Sequence, residues 1–387
     1  MRNRQPIIVW VARYWYVAAP IAITVAFLAE YAFRSAKDLL DTITVLPGDP
    51  WVYMDRWEDI RSGLIPYVET EFEHFPLTLV PIILAGLVAD FTGITYWHTF
   101  AGATAIMVFA ITYAVHRTGV HLKDDTAVLR FLLLITPLLP LVLFRSDILP
   151  LLCVAFTMLA LVSGREGGAI AGTVAGILAK GWPVVFVVPD WWRGRRLRAV
   201  LLTLFCLAVV LALAFLPGFQ SGREFTGIQQ ETMVGSILQI VRLSTGDDLG
   251  IEPDAGSIYL VAEPWMVAAN VMFGALLGIW ALLGLRSPFT WRRGFVMSAA
   301  LTLALLIASP LLSPQFLVWP TAFLAIVAGR RIMWSFVAMC LVTTLYVGLW
   351  DNDTMWWSSL LLIRNIMLVV ITVMVVRSAA AGQERTF

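Results

Sequence analysis

Gly48-Asp49-Pro50-Trp51-Val52-Tyr53, then Gly63-Leu64-Ile65-Pro66-Tyr67, then Phe72-Glu73-His74-Phe75-Pro76 lie in or at the edge of a polar island that runs from Arg34 to His74. Hydrophobic runs flank the island on both sides, each close to the roughly 20 apolar residues a helix needs to cross a bilayer. Carboxylates, aromatic rings and an arginine crowd this first loop beyond what a connector requires. The loop therefore reads as a reactive one at the membrane surface.

Outward from the island the chain is apolar. Of 387 residues 59% are hydrophobic and 14% are charged, against about 25% charged in a soluble domain. The mean hydropathy is +0.82. This is the composition of an all-α polytopic membrane protein. Cations and anions nearly cancel, 27 against 26 for a net +1, so there is no basic field of the kind nucleic acid requires. Cys153, Cys206 and Cys340 each sit in an apolar run, with no CxxC pair and no disulfide framework.

Candidate spans recur from 17–33 to 359–376, roughly a dozen by the length criterion. The expected fold is a bundle of about 10–13 transmembrane helices in one membrane domain, 1–387. Its parts are a catalytic outer loop, 34–75, with an interfacial helix; a membrane module, 76–217; an outer loop, 218–264; and C-terminal helices, 265–387. The first span follows Arg2, Arg4 and Arg13 and reads as a signal anchor, since many spans come after it. Basic clusters at 191–198, 286–293, Arg330-Arg331 and the tail from Arg377 mark the cytoplasmic side. The acidic loops 34–75, 218–264 and 351–358 then face outward.

Asp49, Pro50 and Gly63 are helix punctuation: an N-cap, a proline at the first helical position and a glycine past the end. They predict a helix over 50–62. At helical spacing Trp51, Met54 and Trp57 share one side, with Tyr53, Arg56 and Ile60 on the adjacent stripe, as in a short helix lying along the bilayer. Asp49 reads either as an ordinary cap or as a general base that takes a proton from a sugar hydroxyl. Capping lowers a carboxyl pKa, so the two roles pull in opposite directions. Asp38, Asp41 and the strip Glu69, Glu71 and Glu73 read as solvated charge, while His74 stands at the outer mouth of the next span.

Several polar residues lie in apolar surroundings: Arg145, Asp147, Lys180, Asn270, Ser313, Gln315, Arg364 and Asn365. A charge at the bilayer centre costs at least about 2.5–3.5 kcal/mol, so these groups need partners. Arg145 and Asp147 can neutralise one another. Lys180, just before Gly181-Trp182-Pro183, has no acidic neighbour in sequence; it either snorkels to an interface or meets a lipid-borne phosphate. Two Ser-Pro steps between Ser309 and Pro320 interrupt another helix and bring Gln315 and Trp319 to the outer surface. If every segment of 76–190 crosses, Lys180 lies at membrane depth and the 145–147 loop is cytoplasmic. If 168–190 is two half-helices broken at Gly181-Trp182-Pro183, and one segment of 76–116 does not cross, Arg145, Asp147 and Lys180 all face the first loop. The second arrangement gathers the costly charges and is preferred. The segment 218–264 reads as a lid, an acceptor-recognition element or a plain connector.

The series Asp-x-x-x-Tyr, Gly-x-x-Pro-Tyr and Phe-x-His-Phe-Pro-Leu in the first loop resembles the signature of GT-C glycosyltransferases that use polyprenyl-phosphate sugars. The nearest resemblance is to bacterial polyprenol-phosphate-mannose-dependent mannosyltransferases and to the eukaryotic mannosyltransferase that begins the GPI-anchor glycan. Phe144-Arg145-Ser146-Asp147, Gly172-x-x-x-Gly176-x-x-x-Lys180-Gly181-Trp182-Pro183 and Ser313-Pro314-Gln315-Phe316-Leu317-Val318-Trp319 are similar to further family motifs in the same order, over residues 48–320.

The resemblance implies a GT-C-type bundle with Asp49 as the catalytic carboxylate. It implies that Lys180, Arg145 and Arg56 contact the donor phosphate, and that Tyr53, Tyr67, His74, Asp147, Gln315 and Trp319 line the sugar or acceptor site. Two departures bear on the sugar: His74-Phe75-Pro76 stands where Tyr-Pro-Pro is usual, and Asp147 where another polar residue is common. The expected reaction moves a sugar, with mannose the best match, from a polyprenyl-phosphate donor to a hydroxyl of a lipid-linked glycan or glycolipid. It would take place on the outer side of a bacterial plasma membrane, with inversion. No cofactor is expected. The first outer loop has no Asp-x-Asp metal pair, and Asp351-Asn352-Asp353 has that spacing in a short late turn; a divalent ion stays open. The reading from another class is a polytopic transporter or lipid flippase, although no matching pair of interrupted segments is visible in two halves of the chain.

Overall fold

A computed structural model describes residues 14–25, 49–72, 74–219, 227–246, 251–254, 257–261, 264–348 and 354–381. Of Asp49, Pro50 and Trp51 it describes the backbone. The expectations for Arg2, Arg4, Arg13, Asp38, Asp41, Glu73 and Asp351-Asn352-Asp353 fall outside these residues.

In hydrocarbon every backbone N–H and C=O must find its partner within the chain, which favours helices. In chain order these are α1 (Tyr14–Val25), α2 (Asp49–Arg61), α3 (Leu79–Thr92), α4 (Tyr96–His121), α5 (Ala127–Ile135), α6 (Leu139–Val142), α7 (Ile148–Val162), α8 (Glu166–Lys180), α9 (Val187–Trp192), α10 (Arg196–Ala214), α11 (Met233–Thr245), α12 (Pro264–Leu282), α13 (Trp291–Ala308), α14 (Thr321–Val327), α15 (Arg330–Gly348) and α16 (Met355–Ala380). The protein is an all-α polytopic membrane protein. Among the described residues six helical stretches are long and apolar enough to cross a membrane: α4, α10, α12 with its extension to Arg286, α13, α15 and α16. The other apolar helices span 10–17 residues. Prolines account for much of the shortening: Pro137 and Pro140 interrupt the run from Ala127 to Val142, and Pro310, Pro314 and Pro320 interrupt the run after α13. Within 218–264 the strands β1 (Gly227–Gln229), β2 (Ile251–Asp254) and β3 (Ser257–Val261) form a small antiparallel sheet ordered β1-β3-β2. It is a local departure from the all-α expectation.

Contacts sort the bundle into two ends. At one, Arg198 pairs with Glu166 and Asp190, and Glu166 also meets Arg195 at 2.9 Å. The Arg193 guanidinium lies 4.2 Å over the Trp291 ring, Trp192 Nε1 donates to Ser287 O at 3.0 Å, and Gly284 abuts the backbone of Ala379. Arg292 donates to Leu122 O at 3.1 Å and Arg130 to Ala325 O at 2.6 Å. The basic clusters of the sequence thus gather at one end.

The break at Gly181 is a reversal. Glu166 opens α8 at the basic end and Arg193 follows α9 at the same end, so the chain climbs through α8, turns at Gly181 and returns through 182–192. Gly181 has φ +69°, and Pro183 sits in the first turn of the 3-10 helix Trp182–Phe186. The two helical limbs of this reversal pack closely: a Cβ at Gly176 would come within 2.8 Å of Pro183.

α3 does not cross either. It starts beside the top of α8, where Thr78 donates to Ala179 O at 3.2 Å. It ends three residues before α4, whose first turns carry Phe100 against Tyr53 while its last residue, His121, contacts Ser163 at the basic end. Both ends of α3 therefore stay at the end away from the basic clusters. α2 lies along it, burying Tyr53 and Trp57 in a cluster with Phe72, Ile82, Ala85, Tyr96 and Phe100.

A side chain at Gly86 would collide with the Trp57 indole. Gly86→Ala is expected to cost roughly 1–3 kcal/mol, as overpacking does, and to lower the unfolding temperature; no change would show that α2 does not rest on α3. Burial alone would raise the Glu166 carboxyl pKa, but the hydrogen bond from Arg198 and the charges of Arg198, Arg193 and Arg195 outweigh it and hold the group below its usual value. Its stabilising contribution is therefore complete above the ordinary glutamate value of about 4.3 and is lost as pH falls through the lower folded value. An acid series of unfolding temperatures checks this, with Glu166→Gln expected to show a shallower acid loss than the wild type.

Candidate functional site

Asp147 precedes α7, and its carboxylate does not cap that helix. Only 1% of its side chain is exposed. Oδ1 accepts from Lys180 Nζ at 2.7 Å and from Trp319 Nε1 at 2.9 Å. One buried oxygen thus joins the head of α7, the tail of α8 and the irregular segment before α14. The sequence offered Arg145 as the partner of Asp147, but the carboxylate turns instead to Lys180, which has no acid near it in sequence.

Aromatic rings enclose the pair. Trp182 and Trp319 stack with centroids 5.3 Å apart and planes 9° from parallel, and Phe316 stacks on Trp319 at 4.6 Å. Lys180 Nζ lies 4.1 Å from the Phe316 centroid, in cation–π range. About a quarter of the lysine side chain stays exposed, 28%. An ammonium has three N–H groups, and one goes to Asp147, so Lys180 keeps donors for an incoming anion.

The first loop docks on the residue before Asp147. Tyr53 donates to Ser146 Oγ at 3.0 Å and accepts from the Ser146 backbone N–H at 3.2 Å, while its ring stacks on Phe100 and meets the His74 ring edge-on at 5.2 Å. Asp49 opens α2 one turn before Tyr53. The predicted helix over 50–62 is therefore real, displaced by one residue, and Gly63 follows it with φ +96°. Arg56, partly buried on the same helix, reaches Asp59 at 3.5 Å.

The remaining candidates divide. Tyr67 serves the loop's own architecture: it adopts φ +68°, its hydroxyl donates to His74 O at 2.7 Å, and its backbone O accepts from Gly218 N at 2.8 Å. Gln315 is 7% exposed in the 3-10 helix Pro314–Val318, immediately before Phe316. Arg145 is half-buried in the turn between α6 and α7. Tyr53, Asp147, Lys180 and Trp319 come together, while Tyr67 and His74 sit behind Tyr53 as support. Ser146, Phe316, Trp182 and Thr78 carry contacts with no role assigned from sequence; Ser146, Phe316 and Trp182 lie inside the quoted motifs, which is their only signal, and Thr78 lies outside them. Among the described residues no group of three His, Cys, Asp or Glu side chains gathers to hold a metal ion.

Comparison with protein-family models, curated proteins and solved structures finds no match to this chain.

Removing the carboxylate tests the hub. Asp147→Leu leaves Lys180 and the Trp319 N–H without an acceptor and is expected to cost about 3 kcal/mol. Asp147→Asn keeps an acceptor and should cost roughly half as much. Equal stability of the two variants in thermal unfolding would contradict the hub role.

Proposed function

We propose that the protein is a membrane glycosyltransferase. It moves a sugar, mannose by motif resemblance, from a polyprenyl-phosphate donor to a hydroxyl of a lipid-linked glycan or glycolipid. The observation that carries the proposal is the meeting of four distant segments, through Tyr53, Ser146-Asp147, Lys180 and Trp319, at the end of the bundle away from the basic clusters. Those segments also bear the motifs that resemble GT-C enzymes. Because Lys and Arg favour the cytoplasmic side, this end faces outward, as in a bacterial plasma membrane.

The chemistry follows from the side chains. Glycosyl transfer passes through an oxocarbenium-like state, and the departing phosphate gains negative charge. Lys180 stabilises that charge, held in place by Asp147 and backed by the Phe316 ring, with Arg56 and Arg145 as further cations of the same face. Asp49 takes the proton from the acceptor hydroxyl as the new bond forms. Attack from the face opposite the phosphate gives inversion without a covalent intermediate. Gln315 and Trp319 border the donor side. The phosphate ester of the donor supplies the driving force.

Purified protein, radiolabelled polyprenyl-phosphate mannose and a crude lipid acceptor fraction provide the test. Labelled glycolipid is expected, with a loss of about 10²–10⁴-fold in turnover for Asp49→Asn and a large loss for Lys180→Met. Sugar crossing the bilayer with no bond formed would support a transporter or flippase instead. Wild-type turnover by a correctly folded Asp49→Asn protein would end the base assignment.

A further inference from the structure

The tip of the α8–α9 reversal, which carries Lys180, stops short of the outer end of the helices that cross the membrane. α7 and α8 have 15 residues each. That length is about 22 Å at 1.5 Å per residue, against about 30 Å for the hydrocarbon core of a bilayer. Both helices are rooted at the basic end: Glu166 opens α8 among Arg193, Arg195 and Arg198, and Ser163, just past α7, meets His121. Guanidinium groups avoid hydrocarbon, so the core begins above them and its outer boundary lies beyond Asp147 and Lys180.

A bilayer thinned around these short helices would instead bring the surface down to Lys180. Two neighbouring helices argue against that. The Cys206 thiol on α10 lies 4.0 Å from Gly181 O, which sets that point of α10 level with the reversal. α10 runs on from there to Ala214, about 12 Å further, and Leu207, Val210, Leu211 and the following Phe215 are all exposed. α3 gives the same answer. Thr78 at its head donates to Ala179 O at 3.2 Å, and the helix leaves that level with Val80, Leu84, Leu87, Val88 and Phe91 exposed. Apolar faces of this extent need lipid around them, so hydrocarbon surrounds the protein at and above the level of Lys180.

Lys180 does not escape by snorkelling to the surface. Its Nζ is tied to Asp147 Oδ1 at 2.7 Å and lies over the Phe316 ring, yet part of the side chain stays open. We propose that Lys180 and Asp147 form a recessed anion site inside the outer leaflet, about 10 Å below its hydrocarbon boundary, and that bilayer thickness sets its affinity for a phosphate. A phosphate borne on a lipid chain is already held in that leaflet, whereas a free one must shed its water to descend so far. Thinner bilayers shorten the descent. The depth stands on helix lengths and contacts; the choice of phosphate rests on the transfer role given to Lys180.

The first measurement is of depth and uses no ligand. Spin labels are placed by Leu207→Cys and Phe215→Cys in full-length protein carrying Cys153→Ala, Cys206→Ala and Cys340→Ala, reconstituted in dioleoyl phosphatidylcholine. The Leu207→Cys label is expected to be rich in oxygen contact and closed to a water-soluble nickel chelate, with the Phe215→Cys label nearer the boundary. Chelate access to both labels means that the bilayer thins to the level of Lys180, which overturns the proposal. The second measurement is the binding of a short-chain isoprenyl phosphate to wild-type protein in dimyristoleoyl, dioleoyl and dierucoyl phosphatidylcholine nanodiscs. Lys180→Met defines the specific part, and Lys180→Gln, which keeps a donor for Asp147, replaces it if the methionine variant does not fold. Specific binding should weaken about tenfold from the thinnest bilayer to the thickest, with inorganic phosphate a poor competitor. Affinity independent of thickness, equal competition by inorganic phosphate, or no Lys180-dependent binding each defeats the recessed site. Turnover is read separately. A deep label and thickness-dependent binding in a protein without transferase activity would uphold this site and end the transfer reading, and the reverse pattern would do the opposite.

Discussion

The arrangement at the end of the bundle away from the basic clusters depends on one buried carboxylate. Asp147 accepts from an ammonium and from an indole N–H with the same oxygen; the first donor is the last residue of α8 and the second follows the 3-10 helix Pro314–Val318. Where water is scarce, a charge pair with added hydrogen bonds is costly to break. The two charges also sit at favourable helix ends: Asp147 lies at the N-terminus of α7 and Lys180 at the C-terminus of α8, so each opposes the partial charge of its own helix. Removing Asp147 would strip the acceptor from both donors at once.

That hub explains how unrelated stretches share one surface. α7 and α8 form an antiparallel pair, which places residues 145–147 beside 180 whatever the rest of the chain does. Tyr53 then fixes the first loop to Ser146, and Thr78 fixes the start of α3 to Ala179. Because α3 and the α8–α9 reversal both fail to cross, the loop helix, the lysine and the tryptophan end up at one end while the arginine clusters gather at the other. A cation with about a quarter of its side chain exposed, backed by an aromatic face and steadied by a buried acid, is what the proposed role toward an anionic leaving group rests on. Few purely structural roles would call for it to remain exposed.

Much of this was legible beforehand. The helix opened by Asp49 and Pro50 and closed before Gly63, the interruption at Gly181-Trp182-Pro183, and the charge clusters that sort the ends all rest on local rules: proline removes a donor, glycine permits positive φ, and cations avoid translocation. The convergence of the first loop, 145–147, 180 and 315–319 was also foreseeable, because intramembrane charge demands company. Less was legible about pairing. Arg145 is two residues from Asp147 and looked like its partner, yet the carboxylate turns toward α8. The three-stranded sheet in the outer segment and the burial of Gln229 to Thr232 against α16 left no mark in a short polar stretch that resembles an ordinary connector.

The sequence by itself determined the class of the protein and the positions where its helices stop, since hydrophobic length and the backbone limits of proline and glycine act on neighbouring residues. Tertiary structure alone decided which acid answers Lys180 and that Arg364 and Asn365 on α16 bond the backbone of residues 231 and 232. Those outcomes depend on distances between residues far apart in the chain, and no local rule contains such distances.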